Sequence, residues 1–127
     1  LSVKLLQWGK KIRLHDGGTP VRNWLHSADT AAAVIAIIKS GVQDEIFNVS
    51  GGFEQTNKET VKKIIQEYYS IDTSWEDYVD LGYKRLGQDV RYSLDDTKLR
   101  NLGWEPRKIF NTEIKGIVEF YKNKFYW

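Results

Sequence analysis

Five consecutive residues, Asp16-Gly17-Gly18-Thr19-Pro20, force the chain to turn. The two glycines supply positive φ, and Pro20 blocks a helix. Whatever follows starts at the mouth of that turn. Val21 to His26 reads as a strand, with Val21, Asn23 and Leu25 on one side and Arg22, Trp24 and His26 on the other. Arg22 therefore projects from a strand directly after a reversal of the chain.

Other punctuation keeps the remaining elements short. Ser2 to Lys10 reads as an amphipathic helix carrying Val3, Leu5, Leu6 and Trp8, and Ile12 to His15 as a short strand. Ser27 is the expected N-cap of a helix with Asp29 in its first turn. That helix runs to about Lys39, is expected to bury Ala28, Ala31, Ala32, Ile35 and Ile38, and ends at Gly41. Glu45 to Val49 reads as a strand, followed by Ser50-Gly51-Gly52. Asn57 is expected to cap a helix from Lys58 to about Tyr69, with Val61, Ile64, Ile65 and Tyr68 as its stripe. A short strand is expected within Trp75–Leu81, and a short helix capped by Asp95 or Asp96 runs through Leu102 to Gly103. Asn111 is expected to cap the last helix, whose stripe is Ile114, Ile117, Val118 and Tyr121, and Phe125, Tyr126 and Trp127 finish the chain. No repeat, linker or low-complexity stretch interrupts this series. The fold class predicted is α/β: one small mixed domain, residues 1–127, of about five helices and short strands.

With 41% hydrophobic residues in 127, the chain can bury a real core. A net charge of only +2 gives no broad basic field for nucleic acid. The absence of cysteine removes disulfides, thiolate nucleophiles and cysteine-ligated metals. No apolar run approaches a membrane span and no signal-peptide pattern is present, so the expected location is cytoplasmic, with no membrane partner. The absence of methionine leads us to expect a piece of a longer protein.

Few chemical motifs survive inspection. The pairs Gly17-Gly18 and Gly51-Gly52 lack the third glycine and spacing of a dinucleotide fingerprint, and there is no Walker-type phosphate loop. His15 and His26 are the only histidines, and neither has a partner at metal-ligand spacing. No nucleophile elbow is present. The aromatic residues among lysines near the C-terminus read as a helix end packing its rings on the core rather than as a stacking surface.

What remains is Arg22, Asn48 and the run Lys84–Asp95. Lys84, Arg85 and Arg91 surround Gly87, and a guanidinium is a planar fork that fits phosphate oxygens. Asp89 could orient an arginine or accept a hydroxyl. Two arginines from separate segments suit a diphosphate, while Asn48, near the end of its strand, offers an uncharged hydrogen bond. The bland alternatives are a solvated charged turn for the loop and a backbone-bonding turn residue for Asn48.

Four segments together resemble the C-terminal, substrate-binding portion of nucleotide-sugar-modifying extended short-chain dehydrogenases, and within them the dTDP-glucose 4,6-dehydratases. Gly17 to Asp29 is similar to that family's G-x-x-x-R-D-W-L-x-V-x-D stretch, and Glu45 to Gly52 to its E-x-Y-N-I-G-G. Arg85 to Tyr92 is similar to R-P-G-H-D-R-R-Y, Leu102 to Pro106 to L-G-W-x-P, and Glu119-Phe120-Tyr121 to its E-W-Y tail. The resemblance implies that Arg22 and Arg85 hold the diphosphate of a nucleotide sugar. It implies that Asn48 helps bind the nucleotide, with Asp89 and Tyr92 near the ribose or diphosphate. Leu86, Gln88, Val90 and Asn23 depart from the pattern and bear more on base and sugar specificity than on the phosphate grip.

In that family NAD and the catalytic Tyr-x-x-x-Lys pair belong to a Rossmann half. There the sugar is oxidised at C4, loses water across C5 and C6, and receives the hydride back at C6. Tyr121-Lys122-Asn123-Lys124 has the wrong spacing for that pair. The resemblance thus implies a substrate-binding module with no catalytic residue of its own. Its partners would be a nucleotide-diphosphate sugar and the missing Rossmann domain, with self-association through an exposed domain face. The alternatives are a piece of a UDP-sugar 4-epimerase or reductase, and a stand-alone nucleotide-binding or interaction module.

Overall fold

The computed structural model describes residues 1–84 and 86–124. The expectations placed on Arg85 and on Phe125, Tyr126 and Trp127 lie outside the described residues. Among the described residues there are five α-helices and four short strands. The order is α1 (Ser2–Gln7), β1 (Ile12–Arg13), β2 (Val21–Asn23), α2 (Ser27–Ser40), β3 (Glu54–Thr56), α3 (Asn57–Tyr68), β4 (Val79–Asp80), α4 (Thr97–Arg100) and α5 (Phe110–Asn123). The predicted small mixed α/β fold is what forms.

The Asp16–Pro20 turn is built as its residues require. His15–Gly18 is a kinked pair of tight turns in which Asp16, Gly17 and Gly18 all take positive φ. Gly18 is fixed by space as well as by angle. A Cβ there would lie 2.9 Å from the Lys58 Cβ and 3.0 Å from its backbone nitrogen. The turn is thereby packed against the start of α3, and it delivers β2 antiparallel to β3 with Val21 opposite Thr56, Arg22 opposite Gln55 and Asn23 opposite Glu54. A second, parallel pair sets Ile12 beside Val79 and Arg13 beside Asp80.

The core has two parts. Leu6, Ile12, Leu14, Val61, Ile65, Trp75 and Val79 pack together under α1 and α3. Val3, Ile114 and Val118 extend this core to α5, with Ile64 and Tyr68 touching both clusters. The α3 stripe is therefore as predicted, and burying a side chain such as Ile65 contributes about 1.5–3 kcal/mol. The α5 stripe is narrower than predicted, since Ile114 and Val118 are buried while Ile117 and Tyr121 stay partly exposed. The second part of the core joins Ala33, Leu99 and Trp104, flanked by Leu25, Ala36, Ile37, Phe47 and Val49.

The face that α2 buries is the reverse of the expected one. Ala28, Ala31, Ala32, Ile35 and Ile38 face outward, with Ile35 at 52% and Ile38 at 73% exposure, while Asp29, Ala33, Ala36 and Ile37 turn inward. The helix is apolar on both sides, so a pattern of apolar positions does not select one face. The strand expected at Glu45–Val49 is not formed. Phe47 and Val49 turn toward the core and Ile46 outward, as in a strand, but none of residues 45–49 makes a backbone–backbone hydrogen bond among the described residues.

Three caps also differ. His26, not Ser27, caps α2, its ring Nδ1 accepting the N–H of Ala28 at 3.0 Å. Thr56, not Asn57, caps α3 in a reciprocal box with Glu59. Asn111 lies inside α5, where its Oδ1 accepts the Lys63 ammonium at 2.6 Å. Asp96 stands at the N-cap of α4, and the first N–H of that helix, from Thr97, is accepted by Asp95 Oδ1 at 2.9 Å.

Candidate functional site

The β2–β3 hairpin carries the arginine that the turn projects. Because side chains alternate along a strand, Val21, Asn23, Thr56 and Glu54 share one face, and Arg22 and Gln55 share the other. The segment after Gly87 comes back along β2. Val21 donates its N–H to the Val90 carbonyl at 2.8 Å, and Val21 bridges Arg91 in parallel sense. Residues 90–92 thus add a third, short rung to the hairpin.

Alternation then sends the side chains of this rung to opposite faces. Arg91 reaches across β2 to Glu54, with Nε at 2.9 Å from Oε1 and Nη2 at 2.6 Å from Oε2. Tyr92 lies on the other face, with the Arg22 guanidinium 4.7 Å from its ring centre. The Tyr92 hydroxyl donates to the Asp89 carboxylate. Arg22 donates through Nη1 to two carbonyls, its neighbour Val21 at 2.7 Å and Asp89 at 3.2 Å. Behind Arg22, the buried Gln55 accepts a hydrogen bond from Lys63 at 3.1 Å.

Three of the predicted residues, Arg22, Asp89 and Tyr92, are therefore in mutual contact. The Asp89 backbone carbonyl accepts from Arg22, and its carboxylate accepts from the Tyr92 hydroxyl. Asn48 does not join them. It is exposed, and its amide donates to the Asp95 carbonyl at 3.0 Å. It belongs to a neighbouring seam in which Asn23 donates to Ser50 at 3.2 Å, Ser50 to the Leu94 carbonyl at 3.2 Å, and the Gly51 N–H to Asp96 at 2.9 Å. That seam ties residues 48–51 to 94–96, just beyond the arginine loop. Arg85, the remaining predicted residue, is outside the described residues. Glu54 was missed by sequence reasoning, because its partner Arg91 is 37 residues away and no local pattern marks the pair.

Two carboxylates bordering the site are paired with arginines. The Arg91 hydrogen bonds hold the Glu54 carboxyl below the usual carboxylate range, and Glu54 raises Arg91 in turn. The Arg100 guanidinium lowers Asp96; burial opposes this and the Gly51 N–H adds to it. A cavity of about 200 Å³ lies beside Trp24, among Leu25, Phe53 and Phe110, and a larger one of about 1160 Å³, which Trp24 also lines, lies between α1, β1 and α3. Neither is lined by Arg22, Asn48, Asp89 or Tyr92.

The glycine pairs do not form a dinucleotide cradle. Gly18 is filled by Lys58 and Leu14, and a Cβ on Gly51 would lie 2.6 Å from the Leu25 side chain. Neither pair opens a helix after a strand.

The chain as a whole is similar to known proteins. Residues 2–50 match the NAD dependent epimerase/dehydratase family. The human dTDP-D-glucose 4,6-dehydratase is 30% identical over 126 residues, which is 98% of this chain and 36% of that protein. The dTDP-glucose 4,6-dehydratase of Streptomyces venezuelae, solved with NAD bound, superposes with a TM-score of 0.85 at 30% identity, over 97% of this chain and 37% of that one. The UDP-glucose 4-epimerase of Thermotoga maritima, at 22% identity over 96% of this chain and 38% of that one, shares the fold with a TM-score of 0.74. The resemblance read from the sequence is borne out: nearly the whole chain is similar to a part of the dTDP-glucose 4,6-dehydratases, within the extended short-chain dehydrogenases. The chain spans about a third of the length of the curated relatives it matches, 36% of the human one.

Proposed function

We propose that residues 1–127 form the substrate-binding part of a nucleotide-sugar 4,6-dehydratase, of the type converting dTDP-glucose to dTDP-4-keto-6-deoxyglucose, and that they grip the nucleotide diphosphate. The observation that carries this is the convergence of Arg22, Asp89 and Tyr92 on one edge of the β2–β3 hairpin. Arg22 spends only Nη1 on its two carbonyls, so the Nε–Nη2 edge of the fork is the one offered to phosphate oxygens. Tyr92 stacked on the guanidinium and the Asp89 carbonyl fix its direction in advance, which lowers the ordering cost of binding. Arg85 is assigned the second diphosphate contact by resemblance alone. Asn48, one seam away, is assigned to the nucleotide, with the Asp95 carbonyl orienting its amide. No catalytic residue is assigned to this chain.

NAD and the oxidation, dehydration and reduction steps are assigned to the remainder of a longer polypeptide. The outward face of α2, with Ala31, Val34, Ile35 and Ile38, is the surface proposed for that partner, and Glu45–Val49 is the edge beside it. A helix apolar on both sides is stable between two layers, and only one layer is supplied by the described residues. Among them no helix is long and apolar enough to cross a membrane, and we assign the protein to the cytoplasm.

The test is an NMR titration with dTDP, UDP and dTMP. Shifts centred on Arg22, Asn48 and residues 86–92, larger for the diphosphates than for dTMP, are expected, and Arg22→Ala should weaken dTDP binding roughly tenfold. Preference between dTDP and UDP separates the dehydratase from a UDP-sugar epimerase or reductase. If a relative-length polypeptide binds dTDP with no shift at these positions, the reading is wrong.

A further inference from the structure

We infer that Glu54 is a positioning residue for this anion site. Through Arg91 its carboxylate holds residues 90–92 as the third rung of the β2–β3 hairpin, and so sets where Arg22 and Tyr92 stand. The inference rests on the diphosphate reading only for the purpose it gives to the rung, not for the rung itself.

Apolar burial does not hold the loop. Leu86, Val90 and Leu94, the aliphatic side chains of the loop, are all exposed, at 100%, 76% and 54%. The segment therefore gains almost nothing from burial, and polar contacts must keep it in place. Gly87, at φ 72°, lets the chain swing just before it. Two of the contacts that keep residues 89–91 on β2 are single hydrogen bonds, Val21 to Val90 and Arg22 to the Asp89 carbonyl. The third is the two-pronged Arg91–Glu54 pair, which spans the full width of β2.

Magnitude points the same way. The pair is partly exposed, with side-chain accessibilities of 59% and 24%, and such pairs contribute little to global stability. A planar fork on a carboxylate nevertheless fixes direction well. Its effect falls on local geometry. Because Arg91 and Tyr92 are adjacent and point to opposite faces, fixing Arg91 over Glu54 also fixes the Tyr92 ring beneath Arg22. Two other roles are open to Arg91: a direct ligand that Glu54 holds back, or a solvated surface charge. They predict opposite or null results.

The test uses the chain with Glu54→Gln, and with the swap Glu54→Arg plus Arg91→Glu. Exchange of the Val21 amide, which is bonded to Val90, reports the rung. Titration with inorganic pyrophosphate, followed at Arg22, reports the site. Glu54→Gln should speed Val21 exchange and weaken pyrophosphate about threefold to tenfold, with little change in Tm. The swap should restore both. Unchanged exchange at Val21 overturns the inference, as does tighter pyrophosphate binding by Glu54→Gln or a swap that restores neither. If the unaltered chain does not bind pyrophosphate, the diphosphate reading fails by itself, and Val21 exchange in the two variants still decides whether Glu54 holds the rung.

Discussion

The indole N–H of Trp104 donates to the carbonyl of Asp29 at 3.0 Å, joining residues 75 apart in the sequence. The Asp29 carboxylate, itself buried, accepts the N–H groups of Arg107 and Lys108 at 3.1 and 3.0 Å. One residue at the start of α2 thus organises the loop that leads into α5.

Asp29→Ala should therefore be costly. It leaves two partly buried amides without an acceptor, and a loss of about 2–4 kcal/mol is expected. Asp29→Asn, which keeps one oxygen, should lose less. Urea unfolding of the three proteins measures both steps.

The cap of α3 gives a smaller, cleaner effect. Thr56 Oγ accepts the Glu59 N–H at 3.1 Å, and the Glu59 carboxylate takes the Thr56 N–H at 2.9 Å. Thr56→Ala should cost about 1 kcal/mol in the same unfolding experiment. Asn57→Ala should cost much less, since Thr56 fills the cap.

Acid should act through Asp96. Its folded pKa lies below the ordinary aspartate value because of Arg100 and, less strongly, the Gly51 N–H. A depressed carboxylate contributes its full stability above the unfolded pKa, about 3.9, and loses it as pH falls through the folded value. The stability gap between the unaltered chain and Asp96→Asn should be constant from about pH 7 to pH 5 and close below about pH 4. Unfolding midpoints across that range give the answer, and a gap that widened in acid would contradict it.

The outward face of α2 makes a prediction about association. If it is the surface that seeks a partner, the isolated chain should self-associate through it. Ile35→Glu with Ile38→Glu should then shift sedimentation toward monomer while changing stability by roughly 0.5 kcal/mol or less, as exposed substitutions do. Association that survives the double change would place the contact elsewhere.

These results also mark where the sequence was legible. The turn at Asp16–Pro20, the stripe of α3 and the stop at Gly41 were readable because each depends on residues within a few positions of one another. The box at Thr56 and Glu59 was equally local, yet Asn57 drew attention from it. His26 escaped notice because imidazole is seldom counted among capping acceptors. The face of α2 was not decidable from the helix, since both sides are apolar and the choice belongs to Leu99 and Trp104, far along the chain. Glu45–Val49 has the alternation of a strand, but a strand exists only with a neighbour. In the arginine loop, residue types suggested anion binding, whereas the pairing of Arg91 with Glu54 required the fold to bring them together.

The two-part core has a kinetic meaning. Residues 45–49 lack a backbone ladder, so the portion built on α2 should open more often than the portion built on α1, α3 and α5. The candidate site straddles the boundary between the two portions, with Arg22 on the hairpin, Asp89 on the loop beside it and Asn48 on the α2 side. A ligand touching both would have to catch the two portions closed, and each binding event would act as a clasp. Slower amide exchange throughout α2, remote from any contact with the nucleotide, would be the trace it leaves.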